Sequence, residues 1–92
     1  MVMEVIWSPL SLIRFEEILV YLNQNFGQHA ANEFSFKLLS AVDTISQHPE
    51  IGKKMDRKVR AFVVVKQISI HYEFSTKLHI LTLWDNRKRP LY

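Results

Sequence analysis

The residues of this 92-residue chain with the most chemistry to offer are cationic, and they crowd into its second half. Lys53, Lys54, Arg57, Lys58 and Arg60 form one cluster, and Arg87, Lys88 and Arg89 form a second. Residues 1–50 carry two Lys/Arg against six acids, a balance of −4, whereas residues 51–92 carry ten against three, a balance of +7. A local field of this kind suits a phosphate backbone or an acidic protein surface. A solvated rim that only keeps the chain soluble would have the same composition. The four histidines, His29, His48, His71 and His79, fall on different expected elements, and no pair has the i, i+4 spacing of a helical zinc motif, so no metal site is expected. With only Gly27 and Gly52 there is no glycine-rich phosphate loop, and no cofactor is expected.

Three strand-like runs position these clusters: Val59 to Val65, Ile68 to Phe74 and Leu78 to Trp84. In the second, Ile68, Ile70, Tyr72 and Phe74 alternate with Ser69, His71, Glu73 and Ser75, which predicts a sheet with one buried and one wet face. Lys66-Gln67 and Ser75-Thr76-Lys77 are the expected turns. Upstream, Met3 to Trp7 reads as a first strand. Ser8 is a favoured N-cap and Pro9 a favoured first helical residue, so a helix is expected from Pro9 to about Phe26, with Gly27 as a left-handed C-cap. A second helix is expected from about Gln28 to Gln47, stopped by His48-Pro49, and residues 50–58 read as a loop.

The order is then β-α-α-β-β-β, with a helical hairpin packed on an antiparallel sheet: a two-layer α+β fold formed by one domain, residues 1–92. The expected core is Ile6, Leu12, Phe15, Ile18, Leu19, Leu22, Phe34, Leu38, Val42, Ile45, Val63, Ile70, Tyr72, Ile80 and Leu83. At 48% hydrophobic content this length supports one small core. The absence of cysteine fits a reducing compartment, and the charged N-terminal stretch lacks a signal-peptide or membrane-spanning run, so a soluble, cytoplasmic protein without membrane contact is expected.

The opening strand with Trp7-Ser8-Pro9, the helical hairpin closing in His48-Pro49-Glu50-Ile51-Gly52-Lys53, the Val59-Arg60 strand entry, Ile70-His71-Tyr72 and the closing Leu83-Trp84-Asp85-Asn86-Arg87 together resemble the RelE/ParE superfamily of toxins from bacterial type II toxin–antitoxin operons. The resemblance covers nearly the whole chain. It implies a compact toxin that arrests growth and is silenced by a co-expressed antitoxin. RelE-like members cleave mRNA in the ribosomal A site, whereas ParE-like members poison DNA gyrase without known chemistry of their own.

Ribosome-dependent cleavage needs a base for the ribose 2′-OH, cations for the phosphorane and an acid for the leaving oxygen. By position in the resemblance, Arg60 and Arg87 would bind phosphate, Lys53 or Lys54 would serve as base because crowded positive charge favours the neutral amine, and Tyr92 or His79 would supply the acid. Arg57, Lys58, Lys88, Arg89 and His79 would line the target- or phosphate-binding surface. Pro90-Leu91-Tyr92 leaves little chain beyond the last strand to place a terminal acid, and the long helical hairpin is more like ParE. The expectation is therefore a ParE-like gyrase inhibitor. The alternative is a RelE-like endoribonuclease acting on ribosome-bound mRNA. A general nucleic-acid-binding module ranks third, since no helix combines basic residues with base-reading amides. An antitoxin segment that folds on contact is the expected partner. Ile13, Val20, Tyr21 and Phe36, which fall off the core stripes, are its expected docking residues.

Overall fold

Ser8 fixes where the first strand ends and the first helix begins. In the computed structural model, which describes residues 2–87, its backbone is extended (φ −68°, ψ 157°) and its Oγ accepts the Ser11 N–H at 3.0 Å. The same hydroxyl donates to the Leu81 carbonyl at 2.6 Å, so one side chain caps α1 (Pro9–Phe26) and ties it to the last strand. Ser8→Ala removes both contacts and is expected to lower the unfolding free energy by about 1–2 kcal/mol, read by urea denaturation.

α1 gives way to α2 (Gln28–Gln47) across Gly27, whose φ of +95° with ψ of 170° lies beyond the left-handed helical well expected for it, in a region open essentially to glycine alone. The helices are followed by β2 (Lys53–Lys54), β3 (Arg60–Val65), β4 (Ile68–Phe74) and β5 (Leu78–Asp85), with β1 (Val5–Trp7) before them. The two-layer α+β architecture is as expected, but the sheet is mixed. It has five strands in the order β1-β5-β4-β3-β2, and β1 runs parallel to β5. The short strand β2 explains the difference. Each element reverses the chain, and the additional reversal at Lys53–Lys54 turns an expected antiparallel relation between first and last strands into a parallel one.

The core lies between α2 and the sheet: Phe34, Leu38, Ala41, Val42 and Ile45 meet Ile70, Tyr72, Leu78, Ile80 and Leu83. Phe15, Ile18, Leu19 and Leu22 of α1 pack against this cluster from its margin. Three expected core residues are exposed instead. Leu12 lies one position off a stripe that begins at the fully buried Ser11, Ile6 points away from the helices because Val5 and Trp7 face them, and Val63 stands opposite Ser69 on the far face. A run of three valines offered no alternation from which to choose a face.

The far face is not uniformly wet either. Ser69 and His71 are buried, because the Trp84 ring stacks on His71 (centroids 5.5 Å apart, 16° between planes) and Asn86 accepts from the Ser69 hydroxyl at 2.9 Å. Asn86 also donates to the Lys66 carbonyl from its side chain and to the Gln67 carbonyl from its backbone, fastening the chain end of β5 over the β3–β4 turn. The bulge in β5 shifts its inward residues from Leu78 and Ile80 to Leu83, which keeps both ends of the strand in the core.

Burial depresses the His71 imidazole below its ordinary value of 6.5, since the charged form loses hydration. The unfolded chain then binds the proton first as pH falls, so the stability contributed by neutral His71 is full above the unfolded value and declines as pH drops through about 6.5 toward the lower folded value. Urea midpoints measured at about pH 7.5 and about pH 5.5 are expected to differ more in the wild type than in His71→Gln.

Candidate functional site

The first basic cluster is assembled by the β2–β3 hairpin. Lys54 stands directly opposite Arg60, and Arg60 opposite Tyr72, so one row of side chains runs from the edge strand to the core. Tyr72 is fully buried, and its hydroxyl donates to the Pro49 carbonyl and accepts the Gly52 N–H, both at 2.8 Å. Burial raises the phenol above its ordinary value, while the Gly52 hydrogen bond and the Arg60 charge oppose the rise. The phenol is therefore held as a neutral donor. Nη1 of Arg60 donates to the carbonyls of Glu50 at 3.0 Å and Gly52 at 2.8 Å. Together these contacts pin residues 49–52 to the sheet. The loop beyond β2 is closed by Met55 N–H to the Val59 carbonyl at 2.9 Å, and it presents Arg57 and Lys58.

Lys54, Arg57, Lys58 and Arg60 line a cleft of about 310 Å³ together with Glu73, Phe74, Ser75 and His79, at the end of the sheet where β3 begins and β4 ends. Lys53 is opposite Ala61, is exposed and does not line the cleft.

The second cluster lies at the opposite end. Arg87 follows β5, whose last residue Asp85 pairs with Ile68, the first residue of β4. Asp85 accepts from Arg87 Nε at 2.9 Å and from Nη2 at 2.7 Å, a two-pronged pairing that pushes the guanidinium still further toward its charged form. The Arg87 backbone N–H adds a third bond to Asp85. Because Arg60 is level with Tyr72 and Asp85 with Ile68, the two arginines are separated by at least four strand residues, about 13 Å. They do not converge on one phosphate. Lys88, Arg89 and Tyr92 lie outside the described residues.

The expected docking residues are open to solvent: Ile13 is 53% exposed, Val20 48%, Tyr21 55% and Phe36 73%. Ile13, Val20 and Tyr21 share a shallow groove on α1 with Glu16, Glu17 and Gln24, whereas Phe36 is on α2, outside that groove. A second groove was not legible in the sequence. It is lined by Ile18, Tyr21, Leu22, Phe26, Val65 and Ile68, and Arg87 stands at its rim. Phe26, the last residue of α1, is exposed and packs edge-on against Tyr21 at 6.2 Å. Only the tertiary approach of α1 to the β3–β4 turn creates this groove, so no local pattern announces it. Among the described residues no group of three or more His, Asp or Glu is placed to hold a metal ion, and no helix is long and apolar enough to cross a membrane.

A family model described as "ParE toxin of type II toxin-antitoxin system, parDE" matches residues 5–90. The chain belongs to the ParE toxin family. Its fold is also similar to a solved chain of the "Chromosomal ParDE TA system from P. aeruginosa", with a TM-score of 0.79 and 15% sequence identity over 91% of this chain and 96% of that one. No curated protein sequence matches it.

Proposed function

We propose that this ParE-family toxin arrests bacterial growth in the cytoplasm by binding DNA gyrase, and that a co-expressed antitoxin silences it by seating a folding segment on the apolar face of α1. The observation that carries the target assignment is the separation of Arg60 from Arg87, with one guanidinium bonded to backbone carbonyls and the other to Asp85. In-line RNA cleavage gains most of its rate from cations converging on the phosphorane, and these two are poorly placed to supply it. Gyrase inhibition asks only for a complementary surface.

The antitoxin reading draws support from the two grooves along α1, which together offer Ile13, Val20, Tyr21 and Phe26 to an amphipathic segment. The test is induced expression in bacteria without the antitoxin. Growth arrest with a DNA-damage response and filamentation, while bulk protein synthesis continues, is the expected result. An immediate block of translation with cut mRNA would overturn the gyrase assignment and restore the ribonuclease alternative.

A further inference from the structure

Lys54, Arg57, Lys58 and Arg60 of the first cleft lie apart from the apolar grooves assigned to the antitoxin, and Arg60 is held in place by the carbonyls of Glu50 and Gly52. Lys54 and Arg60 are direct cross-strand neighbours, an arrangement of like charges that weakens a sheet unless an anion offsets it. Arg14, Lys77 and Arg87 each have a carboxylate partner, whereas Lys54, Arg57, Lys58 and Arg60 have none among the described residues. Glu73 is the single acid in the cleft lining. The frame of the cluster is also preorganised. Arg60 is anchored through Nη1 alone, Gly52 ahead of β2 is pinned by Tyr72, and the loop backbone is closed between Met55 and Val59, so an anion meets a fixed backbone and one ordered guanidinium.

We infer that this cleft, between the β2–β3 loop and the β4–β5 turn, seats the phosphodiester backbone of duplex DNA. The lining favours a polyanion over a peptide, because its one large apolar side chain, Phe74, is committed to the core and leaves a peptide little apolar surface to bury. For the same reason Phe74 offers single-stranded bases no platform on which to stack. The lining holds no Asn or Gln to pair with adenine edges, and its four cations are assigned to phosphates. A cleft of about 310 Å³ accommodates a backbone unit, and the guanidinium of Arg60 has Nε and Nη2 left to offer it. The inference deepens the gyrase reading, since the enzyme holds duplex DNA, and it is tested separately from it.

The test is fluorescence anisotropy of the full chain with a short labelled DNA duplex at several salt concentrations. Affinity is expected to fall as salt rises. Arg57→Gln combined with Lys58→Gln is expected to weaken binding about tenfold at low salt and to make the log–log salt slope shallower by about two. Lys37→Gln combined with Lys66→Gln makes the same change of net charge on exposed residues outside the cleft and is expected to leave both quantities near the wild-type values. Equal losses in the two double variants would show a diffuse field without a site and overturn the inference. No binding by the wild type, or tighter binding of duplex RNA or poly-glutamate than of DNA, would overturn it as well. Gyrase assays on the same proteins keep the two ideas apart. Poisoning that persists while DNA binding is insensitive to the cleft sinks only the cleft, and cleft-dependent DNA binding by a protein that does not poison gyrase sinks only the target.

Discussion

Replacing Tyr72 by phenylalanine is expected to lower the unfolding free energy by about 2–4 kcal/mol, a drop in Tm of about 10–20 °C for a domain of this size. The ring would still fill its buried position, so the change isolates the hydroxyl. That hydroxyl both donates to Pro49 and accepts from Gly52, and its loss leaves a buried N–H and a carbonyl unpaired in a segment with few other ties to the sheet. Gly52→Ala is expected to be damaging from the other side, since an added methyl would stand 2.5 Å from the Tyr72 hydroxyl and 3.0 Å from the Ala61 carbonyl. The two changes are coupled. With the hydroxyl gone the methyl loses one of its clashes, so the double variant should be less unstable than the sum of the single ones. Urea denaturation of the four proteins measures the coupling. A Tyr72→Phe cost below about 0.5 kcal/mol would mean that residues 49–52 are not held by this side chain.

Leu38→Ala is expected to cost about 2–5 kcal/mol, whereas Phe36→Ala, two residues away on the same helix, should stay within about 0.5 kcal/mol. Leu38 is fully buried between α2 and the sheet, so truncation leaves a cavity in the hydrophobic core of the described residues. Phe36 is 73% exposed and contributes little to the fold. If it meets the antitoxin, Phe36→Ala should instead weaken that complex by about tenfold or more, the usual range for an exposed aromatic anchor. Calorimetric unfolding and a binding titration on each variant separate the two roles. Normal antitoxin affinity in Phe36→Ala would remove this residue from the docking surface.

What the sequence made legible was what repeats. The 3.6-residue stripes placed both helices within their observed limits, and the Ser8-Pro9 and His48-Pro49 pairs marked their ends. The two β-hairpins joining the last three strands followed from alternation and turn placement. What it hid was local and non-periodic. Strand β2 is two lysines long and carries no apolar pattern, yet it decides that β1 and β5 are parallel. His71 and Ser69 looked wet because alternation cannot foresee a Trp84 ring and an Asn86 side chain folding over them.

The site was legible as composition but not as geometry. The basic residues were evident. That Arg60 and Arg87 belong to opposite ends of the sheet follows from strand register, which no charge count contains. The second apolar groove depends on α1 meeting a turn distant in sequence, a contact with no local signature.

The proposed action of this ParE-family toxin is to grip gyrase, with no chemistry on RNA. The most direct measurement places the purified full chain with gyrase and supercoiled plasmid, and in parallel with translating ribosomes whose mRNA 3′ ends are mapped. Loss of supercoiling and accumulation of gyrase–DNA cleavage complexes, with mRNA left intact, is the expected result. Cuts in ribosome-bound mRNA that vanish in Arg60→Ala and Arg87→Ala, with gyrase unaffected, would contradict it.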